Sequence, residues 1–246
     1  MTRYSYNGKY LTFNNSYLVT QKNIPRDGLI AEWLFSGNAD DTIGNGNNGA
    51  LVNSPTLVSD RFGNTNSSYE FNGVEQWIES INSNFLNYLT KGTFSFWFSG
   101  NATQSAFLSY YNDILNITLI QIFLQSSSEI RFQFYDFATT NINYHISTVF
   151  NFASDTYYHI VYTYDGDGHK CYINSQEYNV VASATPNYYI SDLINSVGDL
   201  YLTVGCRRLP SEGRFFNGVI DDLRIYDRVL SSEEINQLYK EGGYSP

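Results

Sequence analysis

Along most of the chain, apolar and polar side chains alternate in short runs that Gly, Asn, Ser and Asp interrupt about every ten residues. Alternation with period two puts successive side chains on opposite faces of a strand, and this rhythm of short strands and turns predicts an all-β sandwich. The clearest runs are LIAEWLF (29–35), TFSFWF (93–98), EIRFQFYDF (129–137), YHIVYTY (158–164), KCYIN (170–174), LYLTVG (200–205) and GVIDDLRIY (218–226). In TFSFWF, Phe94, Phe96 and Phe98 share one face, while Trp97 shares the other with Thr93 and Ser95. A strand partly covered on both faces belongs inside two packed sheets. Between YHIVYTY and KCYIN, residues 165–168 (DGDG) spell a short Gly-rich hairpin connection.

One segment changes period. In SSEEINQLYKEGG, Ile235, Leu238 and Tyr239 fall at i, i+3 and i+4, which predicts a short helix with one face docked on the body. Ser231 or Ser232 supplies the cap, Glu233 and Glu234 occupy the first turn where the helix dipole favours anions, and Gly242 ends the element. At the other end, SYNGKYL (5–11) is echoed by TFNNSYL (12–18), each an aromatic, an Asn-containing turn and Tyr-Leu. Asn-Gly is a strong hairpin signal, and a lone hairpin is marginal in water. Residues 1–27 therefore read as a hairpin-like extension, either a docking element or a decorated first strand, ahead of a domain over 28–246.

Composition changes the picture in three ways. A length of 246 residues still fits one β-domain with a full core. The formal charge of −10 excludes a nucleic-acid backbone as partner, since that affinity needs clustered Lys and Arg. No apolar run is long enough to insert in a membrane, and the start MTRYSYNGKY lacks the apolar core of a secretory signal. Cys171 and Cys206 have no metal-type spacing and are expected as buried free thiols on two strands, with a bridge as the alternative.

The loop ADDTIGNGNNGA (39–50) is the first candidate for chemistry. Its Asn and Gly residues tolerate left-handed backbone angles and expose carbonyls, and Asp40 and Asp41 add hard oxygen ligands of the kind calcium takes. The alternative is a plain surface turn with solvated carboxylates.

Five segments in order carry a resemblance to a known family: residues 28–53 (GLIAEWLFSGNADDTIGNGNNGALVN), DRFGNTNSSYEFNGVEQWIE (60–79), TFSFWF (93–98), DTYYHIVYTYDGDGHKCYIN (155–174) and FNGVIDDLRIYDRVLSSEEINQLY (216–239). From about Gly28 to Gly242 the chain resembles the laminin-G-like, concanavalin A-like lectin/glucanase superfamily, in particular its bacterial and phage-borne jelly-roll modules. The resemblance implies a two-sheet antiparallel jelly-roll sandwich with one short C-terminal helix. It also implies calcium held between the Asn/Gly loop and the last strand, with Asp41 matching the loop aspartate and Asp221 or Asp222 the strand pair. Carbonyls of Asn45 or Asn47 would complete the shell. Neighbouring strand residues face opposite ways, so both strand aspartates reach one ion only if the strand bulges. Without an ion, Asp221 or Asp222 is expected to pair with Arg224 or cap loop amides.

The hydrolase branch of that family carries Glu, then Asp two residues on, then Glu again; no Glu here has Asp at that offset, and Glu75 and Glu79 lack the intervening Asp. No Gly-x-Ser-x-Gly or phosphate-loop motif occurs. His159 is expected as a core or edge histidine bonded to backbone rather than a base, and His145 and His169 receive no role. The reading is a non-catalytic displayed module with weak glycan binding or host adhesion, through exposed aromatics such as Tyr110, Tyr111, Tyr188 and Tyr189. Its expected setting is a phage virion surface, reached by lysis and attached to a virion or cell-surface scaffold through residues 1–27. A purely structural capsid decoration and a lectin-like domain of a bacterial surface protein are the alternatives, and oligomeric state is left open.

Overall fold

The computed structural model describes residues 24–80, 86, 89–100, 103–112, 117–135, 142–165, 168–182, 200–207 and 213–243, with the backbone alone of 3–6, 9–14, 17–20, 117, 134–135, 142–146 and 182. The first strands, β1 (Arg3–Tyr6), β2 (Lys9–Asn14) and β3 (Tyr17–Thr20), form an antiparallel sheet in the order β1-β2-β3. The repeat is thus a three-stranded meander where a single hairpin was expected. Next come β4 (Leu29–Trp33), β5 (Gly49–Val52), β6 (Thr56–Val58), β7 (Ser68–Asn72) and β8 (Trp77–Ser80). The middle of the chain gives β9 (Gly92–Ser99), β10 (Ser105–Asn112), β11 (Ile117–Ser126), β12 (Glu129–Tyr135), β13 (Ile142–Val149), β14 (Tyr157–Tyr164) and β15 (His169–Ile173). Last are β16 (Gln176–Tyr178), β17 (Val181–Ala182), β18 (Leu200–Val204), β19 (Cys206–Arg207), β20 (Arg214–Phe215), β21 (Asn217–Tyr226) and the helix α1 (Ser232–Tyr239).

Two antiparallel sheets pack face to face as a jelly-roll sandwich. One runs β17-β13-β12-β11-β10-β18-β8-β5, and the other β16-β15-β14-β9-β21-β7-β6 with β4 also paired to β21. The core between them takes Phe94, Phe96 and Phe98 from β9 and Ile160 and Tyr162 from β14, against Ile120, Ile122, Phe132 and Leu202 of the opposite sheet. Each seven-residue-or-longer run that alternates in the sequence lands on a strand to within two residues. Both Cys171 and Cys206 are buried free thiols.

The far face of β9 and β14 is covered by the C-terminal segment. Ile235 and Leu238 of α1 join Leu230, Tyr226, Val161, Tyr172, Leu29 and Ile24 in a second apolar cluster. Ser231 caps the helix, its side chain accepting from Glu234 N–H while the Glu234 carboxylate accepts from Ser231 N–H. Tyr239 lies flat on Trp97, ring centroids 5.6 Å apart. Ile24 is buried in this cluster and the Pro25 carbonyl accepts from Tyr226 Oη, so residues 24–27 pack on the body. Among the described residues no helix is long and apolar enough to cross a membrane.

Candidate functional site

The Asn/Gly loop is clamped from inside. Asp41 is buried, and its Oδ1 accepts from the backbone N–H groups of Glu32 and Ile43, each at 3.1 Å. Its Oδ2 accepts from Asn47 Nδ2 at 3.0 Å. The Asn47 carbonyl accepts in turn from Trp33 Nε1 and Ser80 Oγ. Asn45 donates its side-chain amide to the Ile30 carbonyl, and the exposed Asp40 pairs with Asn38.

The first and last strands of the body do run side by side: β4 pairs β21 in the register Glu32↔Arg224 and Trp33↔Leu223. β21 also bulges. Between Asp221 and Arg224 it advances three residues while β9 advances two, and Asp222 sits at φ 45°. The extra residue turns both carboxylates toward one guanidinium. Arg61 Nη1 lies 2.5 Å from Asp221 Oδ2 and Arg61 Nη2 lies 2.6 Å from Asp222 Oδ2. Asp60 builds the turn that aims Arg61, its carboxylate accepting from Phe62 N–H, Asn64 N–H and Asn64 Nδ2. Beside this pair, Arg224 binds Glu32 through Nε (2.8 Å) and Glu241 through Nη1 (2.8 Å), and approaches Asp222 at 3.9 Å. Burial alone would lower both guanidinium pKa values, but the surrounding carboxylates hold them raised above the usual range. Burial likewise raises the Glu32 carboxyl, and Arg224 and Arg26 bring it below its ordinary value.

The expected calcium ligands are therefore not gathered as a set. Asp41 spends its oxygens on amide donors, Asp221 and Asp222 spend theirs on Arg61, and Asp40 and Asn45 bond to other partners at the loop surface. Among the described residues no three His, Cys, Asp or Glu side chains are grouped to hold a metal ion. The residues present do not fit calcium. Arg61 is the residue that reading of the sequence passed over; the available signal was two adjacent acids in a mostly apolar strand whose single cation, Arg224, cannot neutralise both. His159 is buried, its Nε2 sharing a hydrogen bond with Ser95 Oγ at 2.8 Å and its ring stacked on Trp97. Its partner is a side chain where backbone was expected.

The expected tyrosine platform also changes. Tyr110 and Tyr111 are neighbours in strand β10, so the two rings face opposite ways. Tyr110 is 1% exposed in the core and Tyr111 4% exposed on the other side, so neither is offered to solvent. Tyr188 and Tyr189 lie outside the described residues.

The outward side of the eight-stranded sheet has mixed aromatic and polar character, buried at its centre, where Ser109, Gln121, Phe123, Gln133 and Thr203 are each less than 5% exposed, and partly open around Trp77 and the β19–β20 ribbon. Since Ile78, Ile122, Leu124, Ile130, Phe132, Leu202 and Val204 point into the core, their neighbours Trp77, Glu79, Gln121, Phe123, Arg131, Gln133, Tyr201 and Thr203 line this face. Gln133, Gln121, Ser109, Thr203 and Glu79 stand opposite one another across five adjacent strands. Gln121 Nε2 donates to Gln133 Oε1, and Ser109 and Thr203 both donate to the Cys206 carbonyl, which seats the β19–β20 ribbon on the sheet. From that ribbon Arg214 lies over the Phe123 ring at 4.8 Å, and Phe215 packs on Trp77 with centroids 6.0 Å apart. Trp77, Glu79, Arg131, Tyr201, Arg214 and Phe215 are all half-buried, so part of each remains open to a ligand.

The sequence matches the family model described as the concanavalin A-like lectin/glucanases superfamily over residues 72–236. No curated protein matches the chain. Among solved structures, domain 4 of AbnA, a GH43 extracellular arabinanase from Geobacillus stearothermophilus, in complex with arabinotriose, is similar with TM-score 0.61 at 15% identity, covering 86% of this chain and 98% of that one. The receptor binding domain of botulinum neurotoxin C/D mosaic serotype gives TM-score 0.59 at 17% identity over 87% of this chain. The binding domain of botulinum neurotoxin DC in complex with rat synaptotagmin II gives 0.59 at 14% identity over 87%. The chain spans about half of each toxin domain, 51% in both cases. At these identities the likeness is one of fold.

Proposed function

Since the chain belongs to the concanavalin A-like lectin/glucanases superfamily, we propose that it is a non-catalytic glycan-binding module whose contact surface is the half-buried part of the outward side of the eight-stranded sheet, around Trp77 and the β19–β20 ribbon. The observation that carries this reading is the half-buried Trp77–Phe215 pair with Glu79 on the same strand as Trp77 and Arg214 beside Phe215 in β20. Aromatic rings stack on the C–H face of a sugar, and flanking carboxylate and guanidinium groups bond its hydroxyls. The described carboxylates of that face, Glu79 in β8 and Glu129 in β12, stand four strand spacings apart. That is about 19 Å, well beyond the roughly 5–9.5 Å that paired glycosidase carboxylates need. The buried acids Glu32, Asp221, Asp222 and Glu241 are each ion-paired, which also supports a binding role. The test is binding to a glycan array that includes arabino-oligosaccharides, the ligand class of the arabinanase domain. A ligand whose affinity drops more than about tenfold in Trp77→Ala, with Tm preserved, supports the reading. An array with no ligand, or one indifferent to Trp77, rejects it.

For setting, we propose display on a virion surface, with residues 1–23 as the attaching element. Strands β1, β2 and β3 pair only with one another among the described residues, which favours an element apart from the two large sheets. Deleting residues 1–23 should leave Tm unchanged and abolish incorporation into particles; a truncated chain that still assembles removes the idea.

A further inference from the structure

Two adjacent carboxylates inside a sheet cannot stay ionised without a positive charge beside them, because removing them from water is strongly unfavourable. At the bulge of β21 that charge is a side chain. The Arg61 guanidinium meets Asp221 and Asp222 at 2.5 and 2.6 Å and Glu241 at 4.0 Å, and its side chain is 0% exposed. The Phe62 and Trp97 rings cover it, 4.4 and 4.5 Å from the guanidinium carbon. Around it, Arg224 and the rim residue Arg26 neutralise Glu32 and Glu241. Four carboxylates thus face three guanidinium groups, leaving little net charge to attract a divalent ion.

We propose that Arg61 is the resident cation of this module: a guanidinium carried by the chain itself stands where the buried Asp221–Asp222 pair would otherwise need a bound metal ion, and the two carboxylates form a latent site for a hard, oxygen-seeking cation once it is removed. The planar fork suits this role, since it offers separate N–H donors to two carboxylates where an ion offers a single centre. The consequence is functional. A module held by a dissociable ion follows free calcium by mass action, whereas a covalently attached cation is present at full occupancy in any medium. The turn between β6 and β7 and the last strand of this body stay joined where calcium is scarce or chelated.

The experiment compares melting in EDTA and in calcium chloride, together with terbium emission sensitised by Trp97, whose ring lies 4.5 Å from the guanidinium carbon. Wild-type protein should melt within about 1 °C in the two buffers, as expected when no ion binds the native state, and should give no sensitised emission. Arg61→Ala should melt lower in EDTA, gain roughly 5–10 °C at calcium about a hundredfold above its Kd, and show terbium emission that Asp221→Asn in the same background removes. Arg61→Lys, which keeps a charge in place, should lose stability yet ignore calcium. A wild-type Tm that climbs with calcium overturns the resident-cation role, and an Arg61→Ala protein that folds but ignores both ions overturns the latent site. If Arg61→Ala folds in neither buffer, the wild-type and Arg61→Lys comparisons decide.

Discussion

Arg61 Nη2 lies 2.6 Å from Asp222 Oδ2, joining a turn near the start of the body to its last strand across 161 residues of chain. A buried pair of this kind contributes little against a well-packed apolar replacement, but removing one member leaves the other charged and uncompensated. Asp222→Ala should therefore lower stability by about 3–5 kcal/mol, read from the urea midpoint at unchanged slope. A loss under about 1 kcal/mol, the value of an exposed pair, would mean the network is solvated rather than buried.

Gly205 links β18 to β19 at φ 86°, and a Cβ there would stand 2.6 Å from the ring of Phe71. The ring is buried in the core and has nowhere to go. Gly205→Ala should cost about 2–5 kcal/mol, adding left-handed strain to overpacking. Gly63, also at positive φ but with nothing near its Cβ, is the control: Gly63→Ala should cost only the strain, about 1–2 kcal/mol. Equal losses at the two sites would remove the packing part of the argument.

The capping box of α1 is a third handle. Arg228 grips Glu234 with two guanidinium nitrogens at 2.9 and 2.6 Å, and Ser231 N–H donates to the same carboxylate. The Arg228 bond is the main cause that holds the Glu234 pKa down at about 2. A depressed carboxyl stabilises the fold above its unfolded value near 4.5, and that contribution fades as pH falls toward about 2. Ser231→Ala should cost about 1 kcal/mol at neutral pH, and Glu234→Gln should flatten the acid limb of a Tm-against-pH curve below about 4.5.

The strands were legible because each buries one or both faces in a fixed period, so Phe94, Phe96 and Phe98 announce their shared side without any knowledge of partners. The helix was legible for the same reason, with its cap and its docking face both local. What stayed hidden is set by long-range pairing. Asp221 and Asp222 face the same way only because β21 gains a residue against β9, and no local pattern encodes that register shift. Their partner Arg61 comes from a turn whose shape depends on Asp60 and Asn64. The outer-face surface was missed because Trp77 and Phe215 meet only when the short β19–β20 ribbon folds over β10, a contact between segments far apart in the chain. Tyr110 and Tyr111 were expected at the surface because Ser109 and Asn112 flank them with polar groups, but in SAFLSYYN those polar neighbours are themselves buried in the strand.

Acid should weaken this protein well before its carboxylates titrate, because two histidines are held neutral. His159 is fully enclosed; burial is the largest cause that takes its pKa well below 6.5, and the cations Arg61 and Arg224 push the same way while Asp222 opposes them. His169, bonded through Nδ1 to Tyr162 Oη at 2.5 Å, is lowered to about 4, again chiefly by burial, with Asp165 opposing. In the unfolded chain both rings take up a proton near pH 6.5, so between that value and the folded pKa the unfolded state binds more protons. Stability is then complete above about pH 6.5 and is lost as pH falls, with the His169 share gone by about 4 and the His159 share still declining below that. His169→Gln should remove part of the slope between about pH 6.5 and 4, since its site is half-buried and admits an amide. His159→Gln should remove more of it, at the expense of the Ser95 bond and the Trp97 stack at neutral pH. Urea midpoints at pH 7 and pH 5 make the comparison, and wild-type midpoints that agree at the two pH values would show that neither ring is held neutral by the fold.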